Sequence, residues 1–212
     1  MAGEIGKTND RPKRSWTAGL SALLVVAMAL FMGLGLLARF SSDSRGLWNG
    51  IVHDRNTHAS TAIQLARAVE GGRFIEAAQT ILRCKVWPPL HGMLAAGAWT
   101  LAGHDWRALI LPSLAGWMLL VVCSGLLAAR IAADGLPGWL AAFVAAALAA
   151  QSPAHRIFAT DVMLESLGAG LSMLALLLFA RARQPGANPH WWKAMAICLT
   201  LLFFEKYSHL PS

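Results

Sequence analysis

The sequence predicts an all-α fold: a polytopic bundle of membrane helices, with amphipathic juxtamembrane helices in its first external loop. Three observations carry that prediction. Of 212 residues, 56% are hydrophobic and only 14% charged, and the mean hydropathy is +0.50, too apolar for one ordinary soluble domain. Apolar runs recur at 17–38, 88–103, 108–129, 136–150, 163–180 and 194–204, with no repeat or low-complexity linker between them. Tryptophans fall at the run edges, at Trp16, Trp87, Trp106, Trp139, Trp191 and Trp192, where an amphipathic indole settles at the headgroup level.

The first run, "TAGLSALLVVAMALFMGLGLLA", carries no charge over the roughly 20 residues needed to cross hydrocarbon, and it follows Lys13 and Arg14. It is expected to span, with residues 1–16 as a cytoplasmic tail. The rival is a cleavable signal peptide, but its apolar core would be only about 7–15 residues, and "LLARFSS" is a poor small-residue cleavage site. The net charge of +7 raises the question of nucleic acid, yet the 18 lysines and arginines scatter over loops and tails, which suits topology control better than a basic binding face. Three cysteines make no complete disulfide framework: Cys123 and Cys198 sit in apolar runs, and Cys84 stands alone near a surface.

A polar region, 39–86, interrupts the apolar pattern as a first external loop. Within it Ala59, Ala62, Ile63, Ala66 and Val69 recur at helical spacing, with Asn56 and Thr57 as caps and Gly71 and Gly72 as the stop. A second stripe of Phe74, Ala77, Ala78, Ile81 and Leu82 lies opposite Arg73, Glu76, Gln79 and Arg83. Two such helices are expected to lie along the membrane surface. A small soluble loop packing on itself is the plainer alternative.

The later runs set a topological conflict. If 88–103, 108–129 and 136–150 all cross, Asp161 ends opposite Asp54. Yet the loop "RARQPGANPHWWK" carries Arg181, Arg183 and Lys193, so the positive-inside rule makes it cytoplasmic and puts Asp161 outside. One run must then fail to span, and the short ones, 88–103 and 136–150, are the candidates. On this assignment three polar clusters share one face: "VHDRNTH" with Asp54, "SPAHRIFATDVMLES" with His155, Arg156, Asp161 and Glu165, and "EKYSH" with Glu205 and Lys206. Ionisable groups near hydrocarbon are costly and need partners or functions. Each cluster also has a structural explanation: Asp54 and Arg55 as a solvated pair, Asp161 and Glu165 as acids at a helix N-terminus, Glu205 and Lys206 as snorkelling interface residues. His53, Asp54 and His58 make a poor metal set, because a five-residue spacing does not place both imidazoles on one helix face. No phosphate loop, Gly-x-Ser-x-Gly elbow or Cys pair occurs.

With these residues in order, the chain resembles the N-terminal part of the GT-C membrane glycosyltransferases of the protein O-mannosyltransferase and lipid A aminoarabinose transferase type. The resemblance rests on the N-terminal span, the acidic first loop "VHDRNTHAS", the Pro-Pro helix start in "VWPPLHGMLAAGAWTLAG", the segment "SPAHRIFATDVMLESLGAGLSMLALLLFARAR", and "FFEKYSH", which is similar to a Lys-Tyr segment at a later span end. It implies one GT-C-like domain over 17–212, incomplete at its C-terminus, since family members are commonly more than twice as long. The family's frequent second acid in the first loop is here Arg55.

The resemblance implies transfer of a sugar from a polyprenyl-phosphate donor to a hydroxyl on a glycan, lipid or protein, with inversion, on the outer side of a bacterial inner membrane. No resident cofactor is implied, and dependence on a divalent metal stays open. In that scheme Asp54 is the base and Asp161 the second catalytic acid position. Lys206, Arg156, Glu165 and Tyr207 serve substrate binding, with Lys206 and Arg156 on the phosphate. A polyprenyl phosphate is already a good leaving group, so the chemistry asks for a base and a cation and no glycosidase-like acid. The alternative class is a non-catalytic polytopic protein, an assembly subunit or small transporter, in which the same charges pair between helices.

Overall fold

The computed structural model describes residues 16–47, 53–83, 88–132 and 136–206, and among them the regular structure is entirely helical. The helices are α1 (Trp16–Leu47), α2 (His53–Glu70), α3 (Phe74–Arg83), α4 (Pro89–Leu101), α5 (Leu111–Ile131), α6 (Leu136–Gln151), α7 (Pro153–Ala159), α8 (Leu164–Ala182) and α9 (His190–Lys206), with a 3₁₀ turn, Trp106–Ile110, leading into α5. Pro89, Pro112 and Pro153 fall in the first turns of α4, α5 and α7, where a missing N–H has no intrahelical partner to lose.

Three helical stretches, Gly19–Ser44, Trp106–Ile131 and Leu164–Ala182, are long and apolar enough to cross a membrane. Together α6 and α7 make a fourth if taken as one span broken by 66° around Ser152 and Pro153. The molecule is an all-α membrane helical bundle. In α1 the buried stripe Val25, Ala29, Leu36, Phe40 and Ser44 continues past the end of the apolar run, so the helix runs on to Leu47 with Arg39 on its exposed side. Asp43 departs from helical geometry (φ −131°, ψ 31°) and marks a kink there.

Small residues bring the helices together. A Cβ on Gly116 of α5 would stand 2.3 Å from the Leu167 Cα of α8, and one on Gly170 would stand 2.3 Å from the Gly116 carbonyl oxygen. Farther along α5, Gly125 admits Val25 of α1 and the Ala142 carbonyl of α6, each 2.9 Å from a Cβ there. Trp117, fully buried, fills the centre. Between α8 and α9, the Cys198 thiol donates to the Leu171 carbonyl (3.3 Å), and Phe179 meets Trp192 edge-on. These contacts fix direction. Residue 33 of α1 meets 118 of α5 and residue 25 meets 125, so the two are antiparallel, whereas the starts of α5 and α8 lie together. The end of α1, the starts of α5 and α8, and the ends of α6 and α9 therefore share one face of the bundle.

On that face lie α2, α3, α4 and α7. The topological conflict resolves at α4. At about 20 Å long it is too short for a roughly 30 Å hydrocarbon core. Its first turn bonds to the start of α5 through His91 and Ser113, and its last turn bonds back to α2 through Thr100 and Glu70. Run 88–103 thus stays on one side, while α6 runs back along α5. The α2 boundary also differs from expectation. The helix starts at His53, ahead of Asn56 and Thr57, because Asp54 suits the positive N-terminal end and the residues that follow already bury Arg55 and His58. It stops as expected at Gly71 and Gly72, the latter at φ +69°. On α3, Ala77 is buried but Phe74, Ile75 and Leu82 are exposed, leaving an apolar edge on the surface layer.

Candidate acid–histidine site at the bundle face

The link that builds the site joins residues 106 positions apart. Arg55 of α2 grips Asp161, in the turn between α7 and α8, through two parallel bonds: Nε to Oδ1 at 2.5 Å and Nη2 to Oδ2 at 2.8 Å. Both side chains are about nine-tenths buried. Asp161 Oδ1 also accepts the Val162 N–H at 2.8 Å, so the carboxylate is held from two directions. Sequence reasoning paired Arg55 with Asp54 as neighbours. The helix instead turns Arg55 inward toward Asp161.

One turn along α2, buried His58 meets His91 of α4, with ring centroids 5.9 Å apart. His91 Nε2 lies 3.0 Å from the Ser113 hydroxyl, and that hydroxyl donates to the Met163 carbonyl, also at 3.0 Å. With its one proton committed to Met163, Ser113 must accept from His91. The imidazole is therefore the Nε2–H tautomer, and its Nδ1 lone pair is buried without a hydrogen bond among the described residues. Burial drives His58 below the ordinary imidazole range, against the opposing pull of Asp54, Glu165 and Asp161. Burial, reinforced by His58, takes His91 down to about 3. Both rings are neutral at physiological pH.

The three acids that remain have different settings. Asp54 is partly buried in the first turn of α2, four residues before His58. Glu165, in the first turn of α8, keeps Oε2 buried without a hydrogen bond among the described residues. Glu205, fully buried near the end of α9, approaches the same face, because α9 runs antiparallel to α8.

The face thus gathers Asp54, Asp161 and Glu165 as the sequence suggested, and it adds Arg55, His58, His91 and Ser113. Lys206 closes α9, but its side chain lies outside the described residues, as does all of Tyr207. Arg156 takes another setting: its guanidinium reaches Gln151 at 3.3 Å and lines a groove with Arg39 of α1. Among the described residues no three His, Cys, Asp or Glu side chains converge as a metal-ligand set. His91 sits inside an apolar run, and its one sequence signal was an imidazole two residues after "PP" at a helix start.

Beside the site, α2, α3 and α4 enclose an almost wholly apolar groove of about 580 Å³, walled by Leu65, Val69, Phe74, Ile81, Met93 and Leu101. Its far end is closed by Glu70, which accepts from Thr100 at 2.8 Å and pairs with His104 at 3.0 Å. These bonds, His104's first, hold the Glu70 carboxyl below its usual range. His104 itself is left-handed (φ 72°), held there by stacking on Trp99 with centroids 4.3 Å apart. No protein-family model, curated protein or solved structure matches the chain.

Proposed function

We propose that the chain is a membrane glycosyltransferase, or the N-terminal part of one, moving a sugar from a polyprenyl-phosphate donor to a hydroxyl acceptor on the outer side of a bacterial inner membrane. The observation that carries the reading is the convergence of Asp54, Asp161 and Glu165 on one face of a membrane bundle, beside an almost wholly apolar groove of about 580 Å³ whose lining suits an isoprenoid stretch. In this reading Asp54 accepts the acceptor's proton as its oxygen attacks the anomeric carbon. The phosphate leaves with the bonding electrons toward Lys206, and the configuration inverts. Asp161 positions α2 through Arg55 and does not touch the reacting atoms, a change from the catalytic role the sequence suggested. Glu165 orients the acceptor.

Orientation is supported by the cations at the opposite end: Arg130 and Arg181 in the last turns of α5 and α8, with Arg183 and Lys193 in the connection and α9 beyond. Single cysteines at exposed Gln79 of α3 and exposed Gln184 of the α8–α9 connection, in a cysteine-free background, test it: a membrane-impermeant thiol reagent on intact cells should label the first and spare the second. Asp54→Asn tests the chemistry: transfer from a polyprenyl-phosphate sugar should drop about 10²- to 10⁴-fold at normal membrane abundance. Undiminished transfer removes Asp54 as the base.

A second reading has its own observation. Asp161 is committed to Arg55, as expected of a non-catalytic subunit whose charges pair between helices. That reading predicts that Asp54→Asn leaves every measured property of the membrane protein intact.

A further inference from the structure

At the break between α6 and α7 the surface opens into a groove of about 290 Å³ against α1, near the lower end of the volumes that hold small ligands. Its polar lining includes Arg39, Arg156 and Gln151, and its apolar walls are Leu36, Phe40 and Ile157. The lining contains no acid. Among the described residues neither guanidinium has a carboxylate partner; Arg156 donates to neutral Gln151. Two uncompensated arginines on one groove repel each other, a cost that an anion bound between them would remove.

The depth of the groove points to where that anion comes from. Arg39 lies in the last quarter of the spanning stretch Gly19–Ser44, and Gln151 ends α6, so the groove sits where spanning helices leave the hydrocarbon. Phe40, in its wall, packs edge-on against Trp106 with centroids 6.1 Å apart, and Trp106 is partly exposed at the start of a span, the usual depth of lipid headgroups. Below Arg39, one turn toward the bundle centre, Gly35 faces open space, and below Gln151 Leu148 is 70% exposed. An acyl chain can run down both helices while its headgroup occupies the groove.

We propose that Arg39 and Arg156 form a binding site for the phosphate headgroup of an anionic bilayer phospholipid, wedged between α1 and the α6–α7 break. The guanidinium forks match phosphate oxygens as they match carboxylates. Occupancy ties α1 to α7, the short helix that leads directly to Asp161. The site is independent of whether the chain transfers sugar.

The test uses the full chain purified in detergent and native mass spectrometry after incubation with phosphatidylglycerol or phosphatidylcholine. The expected result is preferential retention of phosphatidylglycerol, weakened roughly tenfold or more by Arg39→Gln with Arg156→Gln. Retention should hold in a chain losing two exposed arginines elsewhere, Arg83→Gln with Arg183→Gln, and in the presence of millimolar inorganic phosphate. Each paired variant is compared only after eluting as the parent does; should the first pair not, the single variants replace it, each expected to show part of the loss. Equal retention of both lipids, equal loss in the control pair, or unchanged retention without Arg39 and Arg156 overturns the site. Displacement by inorganic phosphate overturns its assignment to a lipid.

Discussion

Where α5 crosses α8, backbone meets backbone: Gly116 and Gly170 leave no room for a methyl group. Where α2 meets the start of α8, charge meets charge, through Arg55 and Asp161. The difference follows from the solvent. Between helices in lipid there is little hydrophobic force to gain, so close van der Waals packing over small residues does the holding. At the membrane face, water competes for every polar group. A bidentate pair holds there because burial excludes that water, and it then becomes expensive to disrupt.

The comparison can be broken from either side. The largest effect should come from Asp161→Asn, which leaves Arg55 buried without its counter-charge: about 3–5 kcal/mol lost, read from thermal unfolding in detergent. Replacing both partners, with Arg55→Met and Asp161→Leu, should recover most of it; a double variant as unstable as the single would show that the pair's charges are not what matters. Next comes Gly116→Ala. Its new methyl meets backbone that cannot swing aside, and about 1–3 kcal/mol of overpacking should appear as a lower melting temperature. Unaltered melting would mean that α5 and α8 do not touch as closely as described.

Acid should loosen the surface layer before the bundle. His58 and His91 have folded pKa values below the unfolded value of about 6.5, so the unfolded chain binds more protons as pH falls. Their contribution is whole above about 6.5 and declines below it, down to about 3 for His91, by up to roughly 1.4 kcal/mol per unit for each ring. Hydrogen exchange at pH 7.5 and 5.5 should show α2 and α4 opening first; a uniform response would mean the rings are not buried as neutral groups. The smallest effect belongs to Glu76→Gln, which removes an exposed pair with Arg73 at 3.0 Å and should shift stability by no more than about 0.5 kcal/mol.

The same contrast explains what the sequence could reveal. The spans were legible because an unbroken apolar run needs no partner to be recognised, and Gly71 and Gly72 stopped α2 where a left-handed residue is required. The end of α1 was not, because Arg39 looks like a boundary until the buried stripe through Phe40 shows that the charge merely faces outward. Shortness marked 88–103 and 136–150 alike as runs that could fail to cross; the bonds from His91 and Thr100 to the same layer single out 88–103, and no local pattern in the sequence could have done so. In the site, single acids were visible as costly residues near hydrocarbon. Their pairing was not, since nothing local at Arg55 points across 106 residues to Asp161.

That separation in sequence also sets an order of events as the chain is made. Arg55 leaves the ribosome about a hundred residues before the aspartate that neutralises it, and α5 and α6 are synthesised in the interval. Until then α2 has its small apolar stripe but not its anchor, and the pocket that will bury Arg55 has no floor. Helices α1, α5 and α6 can therefore pack together while the surface layer is still unfastened; the layer locks when the turn before α8 arrives, and α8 and α9 complete the bundle after it. A chain arrested before residue 161 should carry an α2 open to protease beside spans already protected by the bilayer.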